Sequence, residues 1–341
     1  MLLDFLLSDE PDAPPSEYSL VRVSRRAMAT TFEVAVPVGA ARDPVAAADA
    51  ALDLIDDLED QMTVYRDHSE VARLNAAAAG RFVAVEPQLF ALFARSAVWS
   101  RETGGAFDIA AGALTKAWGF HRRAGAVPPP RALVAAMRAT GFRHVMLDET
   151  RHAVKFRVAG LELNLGAVGK GYALDRAAEL LRTKWGVRSA LLHGGGSSVR
   201  AIGHPPGDPC GWPVRLKHPT DADRSLGTVR LRDGGLGTSA ATFQFFEYNG
   251  RNLGHVLDPR TGWPVAGTAS ASVLAPTAAE ADAMSTAAFV LGADGADRLT
   301  RLRPALGAVV LGDTGLRVSN LAPEAYSPPE PHGPVLADRP T

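Results

Sequence analysis

The segment that most constrains the fold is 161–171, where the apolar alternation Leu161, Leu163, Leu165 runs into Gly166-Ala167-Val168-Gly169-Lys170-Gly171. The alternation predicts a strand over 161–165. Beyond the glycines, Leu174, Ala177, Leu181 and Trp185 recur at helical spacing, and Gly186 stops the helix. A glycine turn between strand and helix gathers bare backbone amides at the positive end of the helix dipole. Such a turn either lets a helix pack tightly on a sheet or holds an anion such as phosphate. The segment is neither G-x-x-x-x-G-K-[ST], because Gly171 follows Lys170, nor G-x-G-x-x-G, because position 174 is Leu. Both uses stay open, and Lys170 adds an ammonium that serves a phosphate or faces solvent.

Around this segment the pattern predicts a strand over 31–36. A helix follows, opened by Asp43-Pro44, with Val45, Ala48, Leu52, Ile55, Leu58 and Met62 on a face packed against a sheet. Helices are expected over 87–101 and 131–139, and short strands over 145–147 and 154–158. The second half reads mainly as strands: 190–193 before Gly194-Gly195-Gly196, 228–231, 243–248 turning at Asn249-Gly250, 270–274, 308–311 and 316–318. Helices over 278–291 and 294–302 interrupt them. Hairpin-like strand succession with interspersed helices gives an α+β fold, with mixed but mostly antiparallel sheets and packed helices, rather than a doubly wound parallel sheet. The folded body is expected over 21–320, between a loose arm over 1–20 and a Pro-rich, disordered tail over 321–341.

Charge narrows the function. With 36 Lys plus Arg against 37 Asp plus Glu there is no basic footprint for nucleic acid. The single Cys210 excludes an internal disulfide and a multi-thiolate zinc site and reads as a packing residue. Met1-Leu2-Leu3-Asp4-Phe5-Leu6-Leu7 lacks the basic start of a signal peptide, and the longest uncharged stretch contains Pro264 and Pro276, so no membrane span is expected and the protein reads as cytoplasmic.

Four further groups could carry chemistry. Asp282 and Thr286 lie four apart, on one face of a helix otherwise small and apolar. They suit a hard cation such as Mg²⁺, or else Asp282 caps or salt-bridges and Thr286 bonds back to a carbonyl. His255 and Asp258, in His255-Val256-Leu257-Asp258-Pro259-Arg260-Thr261-Gly262, are a base and an acid entering a turn, or simply turn formers. Gly104-Gly105-Ala106-Phe107-Asp108 puts an acid and an aromatic beside a flexible turn, suited to a ribose or ring, or to a core anchor with a capping Asp. Tyr65 could stack on a flat heterocycle or pack its helix end.

The order of these blocks resembles one family. Met28-Ala29-Thr30, Tyr65 with Ser69-Glu70-Val71 and Leu74-Asn75, Gly105-Ala106-Phe107-Asp108, Trp118-Gly119-Phe120, Asn164 through Tyr172, Gly194-Gly195, His255 to Gly262 and Ala281-Asp282 to Thr286 succeed one another as in the ApbE family of FAD:protein FMN transferases, over about residues 23–318. The resemblance implies an enzyme that binds FAD with Mg²⁺, transfers FMN to a threonine hydroxyl of an acceptor flavoprotein and releases AMP. It implies FAD contacts at Met28, Tyr65, Ala106, Phe107, Asp108, Asn164, Lys170 and Val256. The metal would be held by the Ala167 carbonyl, Asp282 and Thr286; by location alone, His255 or Asp258 is the candidate base near the threonine.

Several motifs depart from the family pattern. Ala29 stands for Gly, Ile109-Ala110 for Pro-Thr, Asn164-Leu165-Gly166-Ala167 for Asp-Leu-Gly-Gly, and Thr238-Ser239-Ala240 for Thr-Ser-Gly. FAD hydrolysis to FMN and AMP, or FAD binding without turnover, are the alternatives these departures keep open.

Overall fold

The computed structural model describes residues 18–120, 125–221, 223–240, 245–248 and 251–329. Its centre is one eight-stranded antiparallel sheet, in the spatial order Leu20–Ala27, Thr30–Pro37, Ala190–Gly194, Ser198–Ile202, Gly235–Ala240, Thr268–Ala275, Gly307–Gly312 and Gly315–Ser319. Side chains along these strands alternate between two cores, as the pleat requires. Leu191, Val199, Ala201, Leu236 and Val309 face a small sheet of Trp212–Lys217, Ser225–Leu231 and Tyr326–Ser327, meeting Trp212, Val214 and Val229. Ala190, Leu192, Ala271, Val273, Ala308 and Val310 face the helices.

Those helices are α1 (Pro44–Met62), α2 (Glu70–Ala77), α3 (Pro87–Glu102), α4 (Gly112–Ala117), α5 (Pro130–Arg138), α6 (Gly169–Trp185) and α7 (Ala278–Leu302). Local chemistry fixes several ends. The Asp43 side chain accepts the Ala46 N–H before Pro44, and Ser69 accepts the Ala72 N–H. Gly186 closes α6 in the left-handed region. Within α7, Gly292 takes φ 70° and ψ −172°, so the span is two helical segments with a break, as the pattern over 278–291 and 294–302 requires. The second segment doubles back, because Arg303 at the C-cap pairs with Glu280 in the first turn.

The α+β class and the predominance of antiparallel pairing agree with the sequence reading. Most predicted elements form within a residue or two of their expected ends, and several readings are corrected. Residues 161–165 are not a strand: their backbone is satisfied piecemeal, with the Gly112 N–H donating to the Glu162 carbonyl, Asn164 N–H to the Ile109 carbonyl, and the Asn75 amide clamping Leu163 at both its N–H and C=O. Val45 is 49% exposed rather than on the buried face of α1, which Ala47 and Ala51 complete instead. Cys210 is exposed, not a packing residue; its N–H donates to Asp208 in a turn. The arm ends earlier than read, since Leu20 already begins an edge strand, and residues 1–17 lie outside the described residues. The tail starts later, since Tyr326 and Ser327 pair with Val229 and Thr228; residues 330–341 lie outside the description. The strand read over 243–248 is described as Phe245–Tyr248, paired with Arg251–Gly254, while 243–244 and 249–250 lie outside it. No helix among the described residues is long and apolar enough to cross a membrane.

Candidate active site

The glycine turn and the acidic helix meet. The N-cap of α6 is Val168, which has no side-chain oxygen to satisfy the first-turn amides. A neighbouring helix supplies it: the Gly171 N–H donates to Asp282 Oδ2 at 2.8 Å. The same bond takes from the Ala167 carbonyl the amide that a continuous helix would give it. On the other side of the turn, Asn164 Oδ1 accepts the Gly166 N–H at 2.8 Å, folding the entry loop.

The start of α7 is fully satisfied. The Ala278 and Ala279 N–H groups donate to the two carboxylate oxygens of Asp175 on α6, each at 2.9 Å, and the Glu280 N–H donates to Thr277 Oγ1 at 3.2 Å. The two helices thus cap one another. Gly171 and Gly237 allow this depth, since a Cβ on either would overlap the backbone of α7 at Ala278 or Ala281.

Asp282 is 6% exposed. Its Oδ2 also accepts the Ser198 hydroxyl at 3.0 Å, while Oδ1 accepts no hydrogen bond among the described residues. Burial pushes the carboxyl up to about 6, against the opposing pull of the Lys170 ammonium, the Ser198 hydroxyl and the Gly171 N–H. Burial likewise raises Asp175, opposed by the Ala279 N–H and by Arg200, whose Nε lies 3.2 Å from Asp175 Oδ1. One turn along α7, the Thr286 and Ser285 hydroxyls donate to the Asp282 carbonyl at 3.1 and 3.0 Å. Ser239 Oγ lies 3.0 Å from Ser285 Oγ and 3.3 Å from Thr286 Oγ1, so the sheet itself reaches the site.

This centre collects Ala167, Lys170, Asp282 and Thr286 from the sequence reading. It also contains Ser198, Ser239, Ser285, Asp175 and Arg200, which that reading did not assign. Ser239 and Ser285 sat inside quoted motifs, whereas Asp175 and Arg200 carried no local signal. Among the described residues no three His, Cys, Asp or Glu are arranged around a metal. The oxygen set of one carboxylate, one hydroxyl and one carbonyl fits a hard cation that keeps water or phosphate ligands, as Mg²⁺ does.

The remaining predicted residues lie on other turns and loops. Met28 and Ala29 form a two-residue hairpin turn with φ 48° and 62°, and the Met28 N–H donates to Glu59 on α1 at 2.7 Å. Tyr65, just past α1, is 68% exposed, which leaves its ring free to stack. Ala106 and Phe107 are fully buried, Phe107 edge-on to Trp99, so they offer a ligand only backbone. The Asp108 carboxylate accepts the Ala110 and Phe142 N–H groups and the Ser100 hydroxyl, which makes it a fastener of its loop. Asn164 ties that loop to the glycine turn through the Ile109 carbonyl at 2.7 Å.

Asp258 binds Arg260 through a two-point fork at 2.9 and 2.8 Å, and His255 is half-buried. Arg260 brings this turn beside Gly105, where a Cβ would lie 3.7 Å from Arg260 Cγ. Trp118 Nε1 donates to the Gly262 carbonyl at 2.8 Å and holds the turn from below. Val256 is half-buried against the main core, its carbonyl accepting the Val265 N–H at 2.9 Å.

Comparison with known proteins gives a consistent result. The sequence profile of the ApbE family matches residues 28–310. The chain is 35% identical over 295 residues to an FAD:protein FMN transferase of Treponema pallidum, covering 81% of each. It is 33% identical over 268 residues to one of Klebsiella pneumoniae, covering 77% of this chain and 81% of that one. In structure it is similar to the ApbE protein of Thermotoga maritima, with a TM-score of 0.79, 27% identity and coverage of 88% of this chain and 97% of that one. The apo flavinyl transferase ApbE of Pseudomonas stutzeri matches with a TM-score of 0.79 and 26% identity, over 91% and 97% of the two chains.

Proposed function

The chain belongs to the ApbE family, and we propose that it is an Mg²⁺-dependent FAD:protein FMN transferase acting on a threonine hydroxyl of an acceptor flavoprotein. In this reaction the threonine Oγ bonds to the phosphorus of the FMN half. The bond from that phosphorus to the bridging pyrophosphate oxygen breaks, that oxygen leaves with AMP, and the threonine proton passes to a base.

The observation that carries the reading is the Asp282 carboxylate, buried and held at Oδ2 while Oδ1 accepts no hydrogen bond among the described residues, beside a helix N-terminus and Lys170. Asp282, Thr286 and the Ala167 carbonyl would hold Mg²⁺, which when bound offsets pyrophosphate charge and makes phosphorus more electrophilic. The N-terminal end of α6 and Lys170 bind and orient the phosphates. Tyr65 lies on the flavin or adenine ring. The backbone at Ala106 and Phe107, together with Met28, Asn164 and Val256, lines the dinucleotide, and Asp108 keeps its loop in shape for that contact. His255 or Asp258 would take the threonine proton, Asp258 being forked by Arg260.

The test is to incubate the purified chain with FAD, Mg²⁺ and candidate threonine-bearing acceptors, reading acceptor mass and nucleotide products. Covalent FMN with one AMP per flavin supports transfer. FMN and AMP without acceptor would mean hydrolysis, and intact FAD under every pairing would mean a binding protein.

A further inference from the structure

Helices α6 and α7 are locked together through two aspartates, of which only Asp282 has a part in the proposed reaction. Asp175 lies four residues after Gly171, whose N–H Asp282 accepts, and Asp282 lies four residues after Ala278, whose N–H Asp175 accepts. Each aspartate caps the other's helix one turn upstream of itself, so neither helix can slide or rotate without breaking both caps. Arg200, on the sheet and 8% exposed, fixes the arrangement from a third side. Its guanidinium pairs with Asp175 at 3.2 Å and donates to the Pro276 carbonyl, just before α7, at 2.9 Å. The Arg200 guanidinium, the Asp175 carboxylate and the α7 amides therefore form a continuous chain that ends at Asp282.

We propose that Asp175 and Arg200 are positioning residues for the metal site, setting where Asp282 Oδ1 presents itself through the reciprocal caps of α6 and α7. The proposal rests on the reading of Asp282 as a ligand of Mg²⁺. Neither residue touches the cation or FAD; they act through the first turn of α7. Residues that orient a metal ligand from behind typically contribute 10- to 100-fold in metal affinity. Asp175→Asn keeps the shape but can accept only one of the two α7 amides, and Arg200→Met removes the guanidinium. Arg200→Lys keeps the charge and restores a single contact.

The experiment titrates Mg²⁺ alone into the full chain by calorimetry, with FAD affinity measured separately in chelator. Thermal melts are recorded with and without Mg²⁺. Asp175→Asn and Arg200→Met are expected to weaken Mg²⁺ binding about 10- to 100-fold, with FAD affinity in chelator changed less than about threefold, and Arg200→Lys should recover part of the loss. A purely structural role would lower both melts equally and leave the Mg²⁺-induced rise intact, which would overturn the proposal. If Asp175→Asn does not fold, Asp175→Glu, which displaces the carboxylate by a methylene, must show the same selective loss. Asp282→Asn separates the two ideas. If it leaves Mg²⁺ affinity unchanged, the metal reading itself fails; if it alone abolishes binding, the site stands and the positioning role is refuted.

Discussion

Gly171 and Ala278 meet backbone to backbone: a Cβ on Gly171 would overlap the carbonyl carbon and oxygen of Ala278. This contact sets how close α6 lies to α7, and hence whether the Gly171 N–H can reach Asp282 at 2.8 Å. A methyl group here cannot be absorbed by a flexible side chain, because the obstacle is main chain. Gly171→Ala should destabilise the fold by about 3 kcal/mol, the upper part of the usual overpacking cost. It should also weaken Mg²⁺ binding by parting the helices. Urea unfolding and Mg²⁺ titration of the variant check both; a loss within about 0.5 kcal/mol, the range of an ordinary surface change, would refute the contact.

Asp282 ties stability to pH in a definite direction. Its carboxyl is pushed up by burial to about 6, above its value in an unfolded chain, so the protonated form is favoured by folding. That contribution is complete below about pH 4 and is lost as the pH rises through about 6. At neutral pH the metal-free protein therefore carries a buried charge costing about 3 kcal/mol at most. Asp282→Asn should melt higher than the parent in chelator at about pH 7.5, should lose that advantage near pH 4, and should gain nothing from Mg²⁺. Melts across this range decide it, and a variant less stable than the parent at neutral pH would reverse the sign of the argument.

What could be read in advance follows from range. Helices α1, α3, α6 and the two halves of α7 announce themselves through periodicity and through caps lying next to them in sequence, such as Asp43-Pro44 and Gly186. Asp282 and Thr286 stood out because a polar group amid small apolar residues needs a reason, and Lys170 because it follows a glycine turn suited to an anion. Asp175 and Arg200 did not, because an acid in an amphipathic helix and an arginine after a glycine run look ordinary until the chain folds. Their partners lie 103 and 76 residues away at Ala278 and Pro276. Residues 161–165 misled for the same reason: alternation reports which side chains are buried, whereas the Asn75 amide, 88 residues distant, decides that no strand partner is needed.

The hairpin at Met28-Ala29 carries strain that one substitution can relieve. Ala29 adopts φ 62°, a left-handed conformation costing an L-residue with a Cβ roughly 1–2 kcal/mol. Glycine adopts it freely but loses more entropy on folding. Ala29→Gly should therefore stabilise the chain by about 1 kcal/mol or slightly less. It would also restore the family's usual Met-Gly-Thr. A urea midpoint that does not rise would contradict this account of the turn.

Lys170 should separate the two ligands of the site. Its ammonium lowers the Asp282 pKa through space, so its charge opposes a second cation there while favouring an anion at the adjoining helix N-terminus. Lys170→Met should consequently bind Mg²⁺ at least as well as the parent in the absence of FAD. Its FAD affinity should fall about tenfold or more, the loss expected for one hydrogen bond to a charged phosphate. The deficit should shrink as salt is raised, because screening weakens the parent's contact too. Calorimetry with Mg²⁺ and flavin fluorescence with FAD read the two affinities independently. Parallel loss of both would mean that Lys170 serves the fold rather than the phosphates.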